Sequence, residues 1–136
     1  MHIELDNCVD EVPTVVAALQ QFCVREGLDQ SVAQAAELAL DELLTNIISY
    51  GYTDTREHRI LVEFAIERNA LKLMVSDDGV AFNPFELSAP DVNLALENRK
   101  TGGLGVFLVK EFMDQHSYLR SGGRNVLTLH KSLTPD

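Results

Sequence analysis

Two periodicities alternate along this chain. Residues 31–52, SVAQAAELALDELLTNIISYGY, carry apolar side chains at Val32, Ala35, Ala36, Ala39, Leu40, Leu43, Leu44, Ile47 and Ile48. The spacing is helical and fills more than one stripe, so it predicts a helix buried on most sides. Upstream, Asp10-Glu11-Val12-Pro13 sets acids and a proline in a first helical turn. Val15, Val16, Leu19, Phe22 and Cys23 give that helix an apolar face, and Gly27 ends it. Asp29 or Ser31 caps the central helix. A third helix, Val106 to Asp114, offers Phe107, Leu108, Phe112 and Met113 to a core.

The other period is two. Ile3–Asp6 alternates briefly and predicts an edge strand. Arg59–Glu67 and Ala70–Asp77 alternate at length, with Arg68-Asn69 between them suited to a tight hairpin turn. Two shorter strands follow near Ser117–Leu119 and Asn125–Lys131, joined by Gly122-Gly123. Residues 82–101 show no steady period, with at most a short helical piece around Val92 to Glu97. An aperiodic stretch of that length in a small domain is usually functional or mobile. Helical and strand segments segregate. The expectation is an α+β fold: a two-layer α/β sandwich, three main helices on one face of a mixed, mostly antiparallel sheet of about five strands, forming one domain over residues 1–136.

Composition narrows the partners. Eleven basic residues against 21 acidic ones give a net charge of −10 over 136 residues. That argues against non-specific binding to nucleic acid or to an anionic membrane surface. An anionic small ligand stays open, provided that a helix N-terminus, a metal ion or a few placed cations assist it. Cys8 and Cys23 form no CxxC pair and read as reduced thiols. The first residues lack a basic start and an apolar run, and no apolar stretch reaches a membrane-spanning length, so a soluble cytoplasmic protein is expected.

Three places break the patterns. Glu42 and Asn46 lie four residues apart on the central helix and point the same way. Polar groups on so buried a helix need partners, which are either protein groups or a ligand. Next, the second long strand runs into Asp77-Asp78-Gly79-Val80-Ala81. This is either a strand-ending turn or a carboxylate placed in a cleft, with Gly79 letting backbone or a planar ligand approach closely. Finally, Thr101-Gly102-Gly103-Leu104-Gly105 precedes the third helix. It is either a hinge or a set of backbone amides presented to an anion. No Gly-Lys-Ser/Thr follows, so it is not a P-loop, and Leu108 stands where a dinucleotide fingerprint needs its third glycine.

Taken in order, Glu-x-x-x-Asn on a helix, Asp-x-Gly-x-Ala after a strand and Gly-x-Gly at a helix resemble the GHKL ATPase superfamily. More narrowly, Glu42 to Tyr52, Asp77 to Pro84 and Gly102 to Val109 are similar to the anti-sigma-factor serine kinases, over about Asp10 to Lys131. The resemblance implies the Bergerat fold, and ATP and Mg²⁺ as cofactors. It implies Asn46 as the Mg²⁺ ligand, Glu42 as the general base or the holder of the attacking group, and Asp77 as the acceptor for the adenine amino group. Gly79 and Ala81 would shape the floor beneath the base. Gly102, Gly103, Leu104 and Gly105 would border the phosphates, with backbone amides from Gly103 and Gly105. A lid would run over about 82–101, with Arg99 or Lys100 reaching a phosphate oxygen. Tyr50 departs from the basic residue or His of many relatives, and Ala81 from a frequent glycine.

The function so implied is an ATP-dependent serine/threonine-protein kinase acting as an anti-sigma-factor-type switch. Its partners would be a STAS-type antagonist and a sigma factor or other regulatory protein, with homodimerisation also implied. Two alternatives remain: a nucleotide-gated binding module without useful turnover, and a stand-alone histidine-kinase catalytic domain. Against the latter, His2, His58, His116 and His130 are isolated.

Overall fold

The computed structural model describes residues 1–86 and 103–134. Strand β1 (His2–Asp6) leads through a 3-10 turn at Val9–Glu11 into helix α1 (Val12–Arg25). Helix α2 (Gln30–Tyr50) follows, then strands β2 (Arg59–Glu67) and β3 (Ala70–Asp77) and a 3-10 turn at Pro84–Glu86. Helix α3 (Gly103–Phe112) and strands β4 (Gln115–Ser121) and β5 (Arg124–Ser132) complete the order.

The sheet runs β1-β2-β3-β5-β4, and every pairing is antiparallel. This corrects the expected mixed sheet. Two of the pairings are tight hairpins, which permit only the antiparallel sense. Arg68 and Asn69 turn the β2–β3 hairpin at φ of 51° and 61°, and Gly122 and Gly123 turn β4–β5 at 60° and 77°. Positive φ at both central residues is the twist that two-residue hairpins prefer.

Alternation along the strands sets the buried face. Leu5, Ile60, Val62, Phe64, Leu71, Leu73, Val75, Leu127 and Leu129 point into the core. Helix α1 contributes Val15, Leu19, Phe22 and Cys23, and the Phe22 and Phe64 rings meet at 5.8 Å between centroids. Helix α2 lies centrally, touching α1, α3, β3 and β5. Its N-terminus is capped by Asp29, whose Oδ2 accepts from the Ser31 amide at 3.2 Å. From α3 come Val106, Val109 and Met113, whereas Phe112 is exposed. Phe107 and Leu108, expected in the core, are only partly buried.

The third helix begins at Gly103 rather than Val106, so Gly103 and Gly105 belong to its first turn. First-turn amides have no intrahelical acceptor, so poor helix formers are tolerated there better than in the interior. Lys131 Nζ donates to the Phe112 carbonyl at 2.9 Å near the other end, where a cation also suits the dipole.

Leu44 is fully buried, whereas Leu119 on β4 is 60% exposed. Leu44→Ala is expected to cost about 2–5 kcal/mol, and Leu119→Ala to stay within about 0.5 kcal/mol. Urea denaturation of the two variants measures both.

Candidate functional site

Helix α2 and the end of β3 meet where backbone approaches backbone. The Val80 amide donates to the Gly51 carbonyl at 2.8 Å, at the C-terminal end of α2. A Cβ on Gly79 would collide with that same carbonyl oxygen and crowd Asp77 Oδ1 at 2.9 Å. Of the two reasons for a glycine here, the close approach of backbone is visible in the structure. The contact brings Asn46 and Asp77 into one cleft, lined also by Ile47, Val80, Phe82 and Asn125. The cleft is narrow, about 10 Å³, which is room for about one water molecule. A planar base would have to part its walls, of which Phe82 is the exposed edge.

Asn46 is 6% exposed, and among the described residues no protein group hydrogen-bonds its carboxamide. Glu42, one helical turn earlier and half-buried, packs on the first turn of α3: a Cβ on Gly105 would land on the Glu42 carboxylate. Burial raises the Glu42 pKa, and neighbouring Asp41 adds to the shift. A raised carboxylate is the better proton acceptor near neutral pH. A hard divalent cation takes oxygen ligands and keeps several waters or phosphate oxygens in its shell. One buried carboxamide lining the cleft, with a carboxylate a turn away, fits that donor set.

Asp77 is 2% exposed. Its Oδ1 accepts from the Gly79 amide at 2.8 Å and from Asn125 Nδ2 at 3.1 Å. Burial raises its pKa, against those two hydrogen bonds and the charge of Arg124. Arg124 itself donates to Ser76 Oγ at 2.8 Å and to the Ser76 carbonyl at 3.1 Å, and Arg120 donates to the Gly79 carbonyl at 2.8 Å. Both cations therefore brace the backbone around Asp77.

The other expected residues divide. Ala81 is exposed and its φ is not positive, and neither it nor Gly79 lines the cleft, where Val80 and Phe82 stand instead. Gly103 opens α3. Arg99, Lys100 and Gly102 fall outside the described residues, as does most of the expected lid at 82–101. Tyr50 is 49% exposed. Asn125 lies outside the three motifs, although it shares the inward face of β5 with Leu127 and Leu129. A polar residue in an apolar period-2 series was the signal available.

A second cluster abuts the Asp77–Gly79 turn. The His58 ring stacks on Tyr52 at 4.3 Å and bridges two carboxylates, Nε2 to Asp54 at 2.8 Å and Nδ1 to Asp78 at 3.2 Å. Neutral imidazole donates through only one nitrogen, so both contacts together call for the imidazolium. Its pKa is raised, first by Asp54 and then by Asp78. The Tyr52 hydroxyl is buried with no hydrogen-bond partner among the described residues. Burial foremost, then the Asp77 and Asp78 charges, push its pKa well above the usual tyrosine range.

Known proteins can now be set beside this geometry. The model of the histidine kinase-like ATPase domain family matches residues 6–131. Serine/threonine-protein kinase BtrW of Bordetella bronchiseptica is 29% identical over 118 residues, covering 87% of this chain and 83% of that protein. Serine-protein kinase RsbW of Listeria monocytogenes is 29% identical over 101 residues, covering 71% of this chain and 64% of that protein. For RsbW of Bacillus mycoides the values are 29% over 107 residues, 76% and 66%. The chain thus spans just under two thirds of the length of these RsbW relatives. Among solved structures, the RsbU and RsbW domains of a Mycobacterium tuberculosis protein give a TM-score of 0.66 at 18% identity, covering 98% of this chain and 31% of that one. A histidine kinase domain from Erythrobacter litoralis gives 0.55 at 15%, covering 92% and 60%. At such identities these two report the fold alone. No described helix is long and apolar enough to cross a membrane.

Two stability predictions follow from the electrostatics. A carboxyl whose folded pKa is raised stabilises the fold at pH below its unfolded value, and loses that contribution as pH rises through the folded value. Asp77 is such a group, so near pH 8 its ionised form opposes folding. Asp77→Asn keeps an oxygen for Gly79 and Asn125, and its melting temperature at pH 8 should equal or exceed that of the wild type. His58 has the same sign for a base: its contribution is complete below about pH 6.5, the ordinary imidazole value, and fades as pH rises through its raised folded value. His58→Gln should therefore lower the melting temperature at pH 6 more than at pH 9, which scanning calorimetry reads directly.

Proposed function

The chain belongs to the histidine kinase-like ATPase domain family, and from that premise we propose that it is an ATP-dependent protein serine/threonine kinase acting as a switch of the anti-sigma-factor type. The observation that carries the proposal is the convergence of Asn46 and Asp77 on one cleft, with Glu42 a helical turn away against Gly105. Relatives bearing the names serine/threonine-protein kinase and serine-protein kinase support it.

Asp77 accepts the exocyclic amine of adenine. An ionised carboxylate donates nothing, so it pairs with an amine and repels a carbonyl at the same place. Asn46 would hold Mg²⁺ through its side-chain oxygen, and the metal would supply charge neutralisation to the triphosphate. Glu42 orients the acceptor hydroxyl of a serine or threonine and takes its proton. The hydroxyl oxygen forms a bond to the γ-phosphorus, the bond from that phosphorus to the bridging oxygen breaks, and ADP leaves. Positioning and charge neutralisation dominate such a transfer. The amides of the first turn of α3, with Gly103 and Gly105, face the phosphates in this reading. The acceptor protein is a STAS-type antagonist, and the nucleotide state governs retention of a regulatory partner such as a sigma factor.

The test is transfer of label from [γ-³²P]ATP to a serine of a cognate STAS protein. Glu42→Gln should bind Mg·ATP normally and transfer roughly 10²–10⁴-fold more slowly. Wild-type transfer rates in that variant would remove Glu42 from the chemistry. Glu42 must be ionised to accept the proton, and its pKa is raised. The rate should therefore fall with acidification at a higher pH than an ordinary glutamate would give, and the pH–rate profile of the wild type reads that limb. Asn46→Ala should make nucleotide affinity nearly independent of Mg²⁺, measured by titration calorimetry with and without the metal.

A further inference from the structure

We propose that Asn125 is a specificity-determining positioning residue, which holds the Asp77 carboxylate so that one oxygen alone faces the ligand and thereby favours adenine over guanine nucleotides. The inference rests on the reading of Asp77 as the base acceptor given above.

The geometry begins with register. Asp77 on β3 and Asn125 on β5 are direct cross-strand partners, on the same face as the Val75–Leu127 pair two positions along. Both are buried, at 2% and 3% exposure. Asn125 is saturated. Its amide nitrogen donates to Asp77 Oδ1 at 3.1 Å and to the Val80 carbonyl at 2.8 Å. Its oxygen accepts from the Tyr118 hydroxyl at 2.6 Å and from the Phe82 amide at 3.3 Å. A carboxamide has two donors and room for two acceptances, and all are used. The orientation admits no flip: a carboxylate and a carbonyl face the nitrogen, and a backbone N–H faces the oxygen. Aspartate at this place would set acceptors against acceptors, and leucine would fill the space and satisfy none of the partners.

What this does to Asp77 follows from lone pairs. Oδ1 receives both Asn125 and the Gly79 amide, so its acceptor capacity toward a ligand is used. Among the described residues no donor reaches Oδ2, which is left for a base. A carboxylate with both oxygens free can engage the adjacent N1–H and 2-amino donors of guanine side by side. With Oδ1 occupied that mode is closed, and a single amine donor, as adenine presents, is what one oxygen can take. The same carboxamide fixes the backbone at Val80 and Phe82, which line the cleft. One side chain thus sets both the acceptor and the wall beside it.

The experiment is titration of Mg·ATP, Mg·GTP and Mg·ITP into the wild-type chain, Asn125→Ala, Asn125→Leu and Tyr118→Phe, each checked by thermal melting. Asn125→Ala and Asn125→Leu should bind ATP roughly tenfold more weakly, as loss of a buried hydrogen-bond partner costs. Their ATP-over-GTP preference should also shrink by roughly tenfold, because Oδ1 regains capacity and the carboxylate can turn. Tyr118→Phe removes only one bond to the Asn125 oxygen and should shift the preference the same way by a smaller factor. A preference ratio does not depend on the folded fraction, so a merely structural role for Asn125 would leave it unchanged. Wild-type preference in the Asn125 variants, or in Tyr118→Phe if those fail to fold, overturns the inference while the base-acceptor reading stands. A wild-type chain without ATP preference, or an Asp77→Asn variant that binds ATP normally, overturns that reading itself.

Discussion

The hydrogen bond from the Val80 amide to the Gly51 carbonyl, 2.8 Å long, joins the two layers of this protein at the point where the site is built. Helices and sheet are held mainly by apolar packing, which is roughly proportional to area and has little directional content. A backbone bond between the end of α2 and the turn after β3 fixes a distance. It requires a glycine at 79, because a Cβ there would occupy the place of the Gly51 oxygen. With that distance fixed, Asn46, one turn from the helix end, and Asp77, at the last position of the strand, share a cleft. Packing of α2 on α3 then brings Glu42 against Gly105.

Much of this was legible in the sequence, for reasons that differ by element. Helix α2 declared itself because nine apolar positions follow a helical period, and Glu42 and Asn46 stood out against them. Strands β2 and β3 declared themselves by alternation, and Arg68-Asn69 by turn chemistry. What stayed hidden was set by contacts distant in sequence. The start of α3 was misread because glycine is a poor helix former, whereas the structure uses Gly105 to admit the Glu42 side chain. The bridge from His58 to Asp54 and Asp78 joins residues 20 apart at its longer span, with no local pattern to betray it. Asn125 was visible in principle as a polar residue among inward leucines. Its meaning depends on its pairing with Asp77, and that register emerges only once β5 is known to lie beside β3.

The electrostatics follow a similar division. With a net charge of −10, the chain offers little general attraction to a triphosphate. The two described arginines beside Asp77 point to protein acceptors: Arg120 to the Gly79 carbonyl and Arg124 to Ser76. They stabilise the turn that carries the acceptor rather than the ligand. Among the described residues, the proposed kinase reading leaves the charge for phosphate to the helix N-terminus and to a cation at Asn46. The neutrality of Asn46 is consistent with that arrangement, because a carboxylate in its place would add a charge to a site already carrying Glu42 and Asp77.

Glu42 and Asp77 are both shifted toward protonation, chiefly by burial, whereas the proposed roles require each to be ionised. In that reading a correct ligand improves the state of both carboxyls. A donor arriving at Asp77 Oδ2 favours the charged form and lowers its pKa, and a hydroxyl donating to Glu42 does the same. Ionisation and ligand binding reinforce each other through the same hydrogen bonds. A base that presents a carbonyl to Asp77 gives no such return and faces an acceptor with an acceptor. Selectivity in this site thus needs no extra contacts on the base. In the proposed reading it needs the carboxylate to be ionised when the base arrives and kept from turning, and the hydrogen bonds from Gly79 and Asn125 act toward both.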